Sequence, residues 1–502
     1  MRVLVAGGGA APEGLLEAFA AYERALMADD LSAMDALFAP GPDTVRGDRD
    51  GLLVGHEQIS EFRRFRGGAP RRELGDVHVQ AVDGDSAVIV AVTLAARGGR
   101  GVQTQLWRRI EGSWRVTAAQ VGPPAQTFDA TVWRAVGSPL VASTGRGPLT
   151  GETVAVKDVY AVAGFSIGAG VPEHQADSPV QTEHAAAVAR LLEAGAAVAG
   201  IAQTDQLAYS IAGTNEHHGA PVNQALTGAV PGGSSSGSAV AVSLGAATIG
   251  LGTDTAGSIR VPASYQGLWG LRTTHGSVPT AGLLPLAPDF DTVGLLTRDP
   301  ERLARAARVL VGGNGGGLGD LLTDPSLTAL AQPEVAAVVG GYADRRGAQQ
   351  IALGIDLDMA YEAFRVHQAY QAWQTHGPWI EEHPGAVIGA AGQRFAIASR
   401  VSAAEDAAAL AALGQFRAAL DAALGEAVLV LPSASSVAPS LTAPAAEVDA
   451  IRAATLRLTC LAGITGRPAL SVPGGWVDGA PVGICLVGPR GSDLALLARF
   501  HR

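Results

Sequence analysis

Pro231-Gly232-Gly233-Ser234-Ser235-Ser236-Gly237-Ser238-Ala239-Val240-Ala241-Val242 leads on to Gly252-Thr253-Asp254-Thr255-Ala256-Gly257-Ser258-Ile259-Arg260-Val261-Pro262-Ala263. Two glycine-flanked serines, Ser234 and Ser258, stand 24 residues apart in this stretch. Glycine lets a backbone turn tightly and approach a substrate closely. A serine after such a turn, beside free backbone N–H groups, suits attack on a carbonyl. Between the serines, Ala239 to Gly252 is the most apolar run of the chain, interrupted by Ser243, Thr248 and glycines. It is too short to span a membrane, and a buried helix followed by a strand is predicted there.

A nucleophilic serine needs a base. Of 36 basic residues only Lys157 is a lysine, and the rest are arginines. Arginine keeps its proton in a protein, whereas a buried lysine can lose one and act as a base. The plain alternative is a stray residue in an arginine-biased composition.

The 502 residues allow a large core and more than one domain. With 47% hydrophobic and 17% charged residues, the composition is that of a compact soluble protein. A net charge of -11 argues against a nucleic-acid partner. Two cysteines, Cys460 and Cys485, make neither a disulfide framework nor a metal-ligand set, so a reducing, cytoplasmic setting is expected. No signal peptide or membrane span is expected, and no cofactor or metal. Gly7-Gly8-Gly9 after Val3-Leu4-Val5 invites a dinucleotide-binding reading. It fails at Pro12, and no following parallel strand is predicted.

Leu15, Leu16, Phe19, Tyr22 and Leu26 fall at helical spacing, and shorter helices are predicted over 31–38 and 58–65. The period then becomes two over 76–82, 86–95, 102–110 and 113–121, with turns at Asp83-Gly84-Asp85 and Glu111-Gly112. Helices followed by an antiparallel meander make an α+β domain. Thr44-Val45-Arg46, Gly55, Gln103-Thr104-Gln105-Leu106-Trp107-Arg108 and Trp114-Arg115-Val116 resemble the cone-shaped NTF2-like (SnoaL-like) superfamily, in the form found in oxalurate and triazine catabolism. That resemblance would let Arg46, Gln105 and Trp107 line a pocket; the alternatives are a polar-lined cavity without chemistry or a dimerisation surface. The domain is expected over 1–124, a connector over 125–148, and a second domain over 149–502. From Glu152 strand and helix patterns alternate, which predicts an α/β sandwich around a large sheet covered on both faces.

Val156-Lys157-Asp158, the two serine loops, Tyr209-Ser210, Asn215 and Gly219-Ala220-Pro221-Val222-Asn223 together resemble the amidase-signature family of serine amidohydrolases. Phe290-Asp291-Thr292-Val293-Gly294 and Trp373-Gln374-Thr375-His376-Gly377 are similar to its indoleacetamide-hydrolase-like branch. Ala256, where many members carry glycine, is similar to the allophanate-hydrolase-like members. The resemblance implies an α/β/α sandwich with a large mixed sheet. It implies Ser258 as nucleophile, Ser234 as proton carrier after a cis bond from Gly233, and Lys157 as a neutral base. Thr255, Ala256, Gly257 and Ser258 would supply an oxyanion hole, and Tyr209, Ser210 and Gly233 would touch substrate. The activity implied is cleavage of a small linear amide or ureide through an acyl-enzyme, by a homo-oligomer. A glutamine-amidase subunit of a tRNA-dependent amidotransferase and a non-catalytic scaffold are the alternatives.

Other readings compete. Gly233-Ser234-Ser235-Ser236-Gly237 fits the G-x-S-x-G elbow, with Ser235 as nucleophile and His275 or His376 as base. Glu216-His217-His218 invites a metal but lacks a third ligand at suitable spacing. Arg260 is read either as a carboxylate anchor or as the ion-pair partner of Asp254, with Asp254 bracing the loop.

Overall fold

The computed structural model describes residues 2–48, 51–66, 69, 72–95, 100–122, 129–313 and 316–500. The chain divides into two compact units, Met1–Thr127 and Phe128–Arg502.

The first unit contains β1 (Arg2–Val5), α1 (Leu15–Ala28), α2 (Leu31–Leu37), β2 (Val45–Asp48), β3 (Gly51–Val54), α3 (His56–Arg66), β4 (Arg72–Ala81), β5 (Ser86–Ala95), β6 (Arg100–Ile110) and β7 (Ser113–Gly122). They form a sheet in the order β1-β4-β5-β6-β7-β2-β3. The meander β4 to β7 is antiparallel throughout. Leu15, Phe19 and Tyr22, one helical face of α1, lie in the same core as Val77, Val79, Ile89, Trp107 and Val116. Alternate strand residues point to one face, which is how the period-two pattern builds this core. One expectation is corrected: β1 does have a parallel partner, β4, with Val3 opposite Val77. The glycines after β1 form only a short 3-10 turn, and α1 begins six residues beyond them.

The second unit runs β8 (Trp133–Val141), β9 (Thr153–Lys157), α4 (Pro172–Asp177), α5 (Ala186–Glu193), β10 (Ala197–Ala202), α6 (Ser236–Ser243), β11 (Ile249–Thr253), α7 (Arg260–Gln266), β12 (Trp269–Arg272), β13 (Val293–Thr297), α8 (Pro300–Val311), β14 (Leu321–Thr323), α9 (Pro325–Thr328), α10 (Pro333–Arg345), β15 (Gln349–Gln350), α11 (Leu357–Glu382), α12 (Gly389–Ala398), α13 (Ala403–Leu424), β16 (Val428–Pro432), α14 (Ala445–Thr465), β17 (Ala469–Val477), β18 (Ala480–Val487) and α15 (Asp493–Phe500). Its eleven-stranded sheet has the order β15-β14-β16-β18-β17-β12-β13-β11-β9-β10-β8. The sheet is mixed: β9 is parallel to β10 and β11, whereas β11 to β13 is antiparallel.

The strands are apolar on both sides because helices cover both sides. Val428 and Val430 of β16 join one core with α5, α8 and α10, while Leu429 and Leu431 join another with α11, α13 and α14. The apolar run 239–252 is split between α6 and β11, as the sequence predicts. A Cβ at Gly250 would sit 3.0 Å from the Ser238 carbonyl, so helix and strand are in direct contact. Helix α13, among the described residues, is long and apolar enough by composition to cross a membrane. Its Ala409, Leu413, Leu420 and Leu424 pack into the core shared with α11.

The expected connector differs. Residues 123–128 lie outside the described residues, and Trp133–Val141 is an edge strand, β8, antiparallel to β10. Trp133 lies over Gly200, where a Cβ would meet its ring at 2.7 Å.

Candidate active site

Three elements end at one point of the sheet. Lys157 is the last residue of β9, Ser234 precedes α6, and Ser258 precedes α7. Lys157 Nζ donates to Ser234 Oγ at 2.8 Å and to Thr253 Oγ1 at 2.7 Å. Ser234 Oγ lies 3.0 Å from Ser258 Oγ. Lys157 and Ser234 are fully buried, and Ser258 is 4% exposed. Burial pulls the Lys157 amine from its ordinary 10.5 down to about 7, against the opposing pull of Asp205, Asp291 and Asp254. The amine is therefore poised to exchange its proton near neutrality.

The peptide bond Gly233–Ser234 is cis. Gly233 is needed because a Cβ there would sit 2.5 Å from the Gly213 nitrogen and 2.6 Å from Asp205 Oδ2. Asp205 anchors the facing loop by accepting from Gly213 N–H at 3.0 Å.

Asp254 organises the second serine loop. Its carboxylate accepts from the backbone N–H of Gly257 at 2.9 Å and of Ile259 at 3.1 Å. It also binds Arg260 at 2.7 Å and Arg272 at 3.2 Å, all three side chains being fully buried. Burial alone would raise its carboxyl, but Arg260 and then Arg272 outweigh it and hold it well below the usual carboxylate range. Arg260 is thus an internal ion-pair partner, and not a carboxylate anchor facing the pocket. Gly257 has φ +123, a conformation that favours glycine.

The Gly257 N–H is taken up by Asp254 and does not point to a substrate oxygen, which removes one expected oxyanion donor. The N–H groups of Thr255, Ala256 and Ser258 have no partner among the described residues. Thr255 Oγ1 donates to Asp291 at 2.5 Å, and Ala256 carbonyl accepts from Thr459 Oγ1 at 2.6 Å, so the loop is clamped from both sides.

A narrow pocket of about 10 Å3 opens on Ser258, walled by Tyr209, Ser210, Thr255, Ala256, Gln368 and Leu456 among others. Tyr209 and Ser210 are where the sequence predicts substrate contact. Gly233 is not part of this lining and backs onto Gly213. Tyr209 packs edge-on against Phe395, with ring centroids 5.0 Å apart, and Phe395 against His376 at 5.8 Å. This gives the Trp373–Gly377 motif a place behind the pocket wall. Thr253, Gln368, Arg452 and Leu456 were not found from sequence. Arg452, Leu456 and Thr459 recur at helical spacing along α14, which is the signal that could have found them.

The competing readings do not assemble. Ser235 Oγ is fully buried and donates to Thr253 carbonyl at 3.2 Å, away from any histidine bond. His275 and His376 each bond through Nε2 to a backbone carbonyl, of Pro288 and Pro285. Burial holds His376 down at about 4. Glu216 accepts from Gln206 at 2.5 Å, and His217 bonds to Ala386 carbonyl at 3.0 Å. No three His, Cys, Asp or Glu side chains group as a metal site among the described residues.

In the first unit, Arg46, Gln105 and Trp107 are all buried. Arg46 pairs with Asp48 at 2.7 Å and stacks over Phe62, 4.7 Å to the ring centroid. Trp107 Nε1 donates to Gln105 Oε1 at 3.1 Å. Nearby, Arg72 binds both Glu23 and Gln103 at 2.8 Å, a buried polar network that the sequence reading did not single out.

Comparison with known proteins agrees with this division. A family model described as Amidase matches residues 133–332, and one described as AtzH-like matches residues 13–125. The chain is 33% identical over 412 residues to Amidase 1 of Arabidopsis thaliana, covering 74% of this chain and 96% of that protein. It is similar to a solved structure described as part of a vestigial protein complex bearing on the origins of an s-triazine catabolic enzyme. That match has a TM-score of 0.66 and 27% identity, covering 71% of this chain and 84% of the other. Allophanate hydrolase of Kluyveromyces lactis matches with a TM-score of 0.64 and 25% identity, covering 70% and 61% of the two chains.

Proposed function

We propose, from the premise that this chain belongs to the amidase family and carries an AtzH-like domain ahead of its amidase unit, that it hydrolyses the C–N bond of a small amide or ureide at Ser258. The observation that carries this reading is the unbroken chain from Lys157 Nζ through Ser234 Oγ to Ser258 Oγ, at 2.8 and 3.0 Å.

Hydroxyl protons rotate to suit their partners. With the amine neutral, Ser258 O–H donates to Ser234 and Ser234 O–H donates to Lys157. Ser258 Oγ then attacks the amide carbon while its proton passes to Ser234 and the Ser234 proton passes to Nζ. The oxyanion is held by the N–H groups of Thr255, Ala256 and Ser258. Each such donor is worth about 3 kcal/mol to the transition state. Collapse breaks the C–N bond, and the proton on Nζ returns through Ser234 to the leaving nitrogen. Water repeats the sequence on the acyl ester and releases the acid. The narrow pocket favours a slender scissile end, such as a primary amide.

The test is ammonia release from a panel of linear amides and ureides by the full chain. Ser258→Ala is expected to abolish release with an unchanged melting temperature, and a fluorophosphonate probe should label Ser258. Turnover that survives in Ser258→Ala would remove the reading.

A further inference from the structure

The pocket at Ser258 shares Tyr209, Gln368, Arg452 and Leu456 as walls with a second chamber of about 130 Å3. Three guanidinium groups line this chamber, Arg365, Arg394 and Arg452, and no carboxylate does. Glu362 engages Arg365 through two hydrogen bonds, of 2.8 and 2.5 Å, and offsets its charge.

The other two, Arg394 and Arg452, make no ion pair with a carboxylate among the described residues, and Asp205 and Glu216 act on Arg394 only through space. Arg394 Nε donates to Tyr209 carbonyl at 2.7 Å, which holds the pocket wall and leaves the Nη groups available. Arg452 Nε is buried and has no hydrogen-bond partner. Burial, and then the neighbouring Arg452, pull the Arg394 guanidinium down to about 10. Two half-buried cations that disfavour each other and touch no carboxylate among the described residues, on a chain of net charge -11, are an arrangement that an anion in direct contact would stabilise.

We propose that the amide cleaved at Ser258 carries a carboxylate at its far end, held in this chamber by Arg452 and Arg394, so that the substrates are monoamides of dicarboxylic acids. This rests on the amidase reading above. The carbonyl enters the narrow pocket, the short chain crosses between Tyr209 and Leu456, and the carboxylate meets the two guanidiniums. Hydrolysis yields the dicarboxylate and ammonium: water supplies one oxygen to the new carboxylate and two hydrogens to the leaving nitrogen.

The experiment compares kcat/KM of the full chain for succinamate and glutaramate with that for butanamide and pentanamide, which lack the carboxylate. Succinate is titrated calorimetrically onto the same protein. The acid amides are expected to be preferred about tenfold or more, mainly through KM, as a charge-assisted contact provides. Arg452→Gln should collapse that ratio and abolish succinate binding, while Arg452→Lys should keep most of it. Equal turnover of succinamate and butanamide by the wild type, or a preference that persists in Arg452→Gln, would overturn the proposal and leave the amidase reading intact. If no amide is cleaved and Ser258 resists the fluorophosphonate, the amidase reading fails. Succinate binding that requires Arg452 would then still uphold the anion site, and its absence would overturn that as well.

Discussion

Lys157 must be neutral to accept a proton, yet its charged form dominates below about 7. Log kcat/KM is therefore expected to rise with a one-proton slope up to about pH 7 and to level off above it, as a steady-state pH profile would show. Lys157→Arg keeps a cation and loses the base, and should lower kcat by about a thousandfold. The same shift governs stability. The unfolded chain binds a proton at Lys157 up to 10.5, while the folded chain releases it near 7. Between those values the unfolded state holds more protons, so folding stability from this group increases with pH, by up to about 1.4 kcal/mol per unit. Lys157→Met should flatten that slope in urea unfolding measured at several pH values. Lys157 was legible in the sequence because nothing else in the chain is a lysine. Thr253, its second partner, was not, because a threonine at the end of a strand reads as an ordinary strand former. The loss of the Gly257 N–H to Asp254 was not legible either, since a backbone donor's partner depends on coordinates and not on residue type.

At the scale of elements, Asp254 ties the loop ahead of α7 to both of its buried arginines. Asp254→Ala would leave Arg260 and Arg272 as buried cations without their partner, and about 3–5 kcal/mol of stability should be lost. Urea unfolding at pH 7 would register this as a lower midpoint, and a loss below about 1 kcal/mol would show that the arginine charges are compensated elsewhere. The pair α6 and β11 was readable because its apolar run breaks at glycines where helix gives way to strand. Strand β8 was not. Gly137, Ser138 and Pro139 lie within it and give the signals of a loop. Proline is tolerated there because β8 is an edge strand, with a free N–H side. The α14 contribution to the site was missed for a related reason. Ala445–Thr465 is apolar on much of its circumference, so the stripe holding Arg452 and Leu456 does not stand out.

For the molecule as a whole, the two units have separate hydrophobic cores. Phe19 belongs to the first and Leu470 to the second. Truncating either to alanine removes a fully buried side chain and should cost about 3–5 kcal/mol for Phe19→Ala and about 2–5 kcal/mol for Leu470→Ala. Calorimetry is expected to show more than one transition, with each variant lowering a different one; a single transition lowered equally by both would contradict separate folding units. The two-unit plan was legible because the hydrophobic period changes from helical to alternating and then to repeated strand–helix units.

The only lysine of the chain is fully enclosed in the native fold. Acylating esters, formaldehyde and amine-directed crosslinkers therefore find no lysine on the folded surface, and enzymes that tag lysines have no native acceptor. Acylation at position 157 would time the opening of the catalytic unit, turning a routine labelling reagent into a clock for its unfolding.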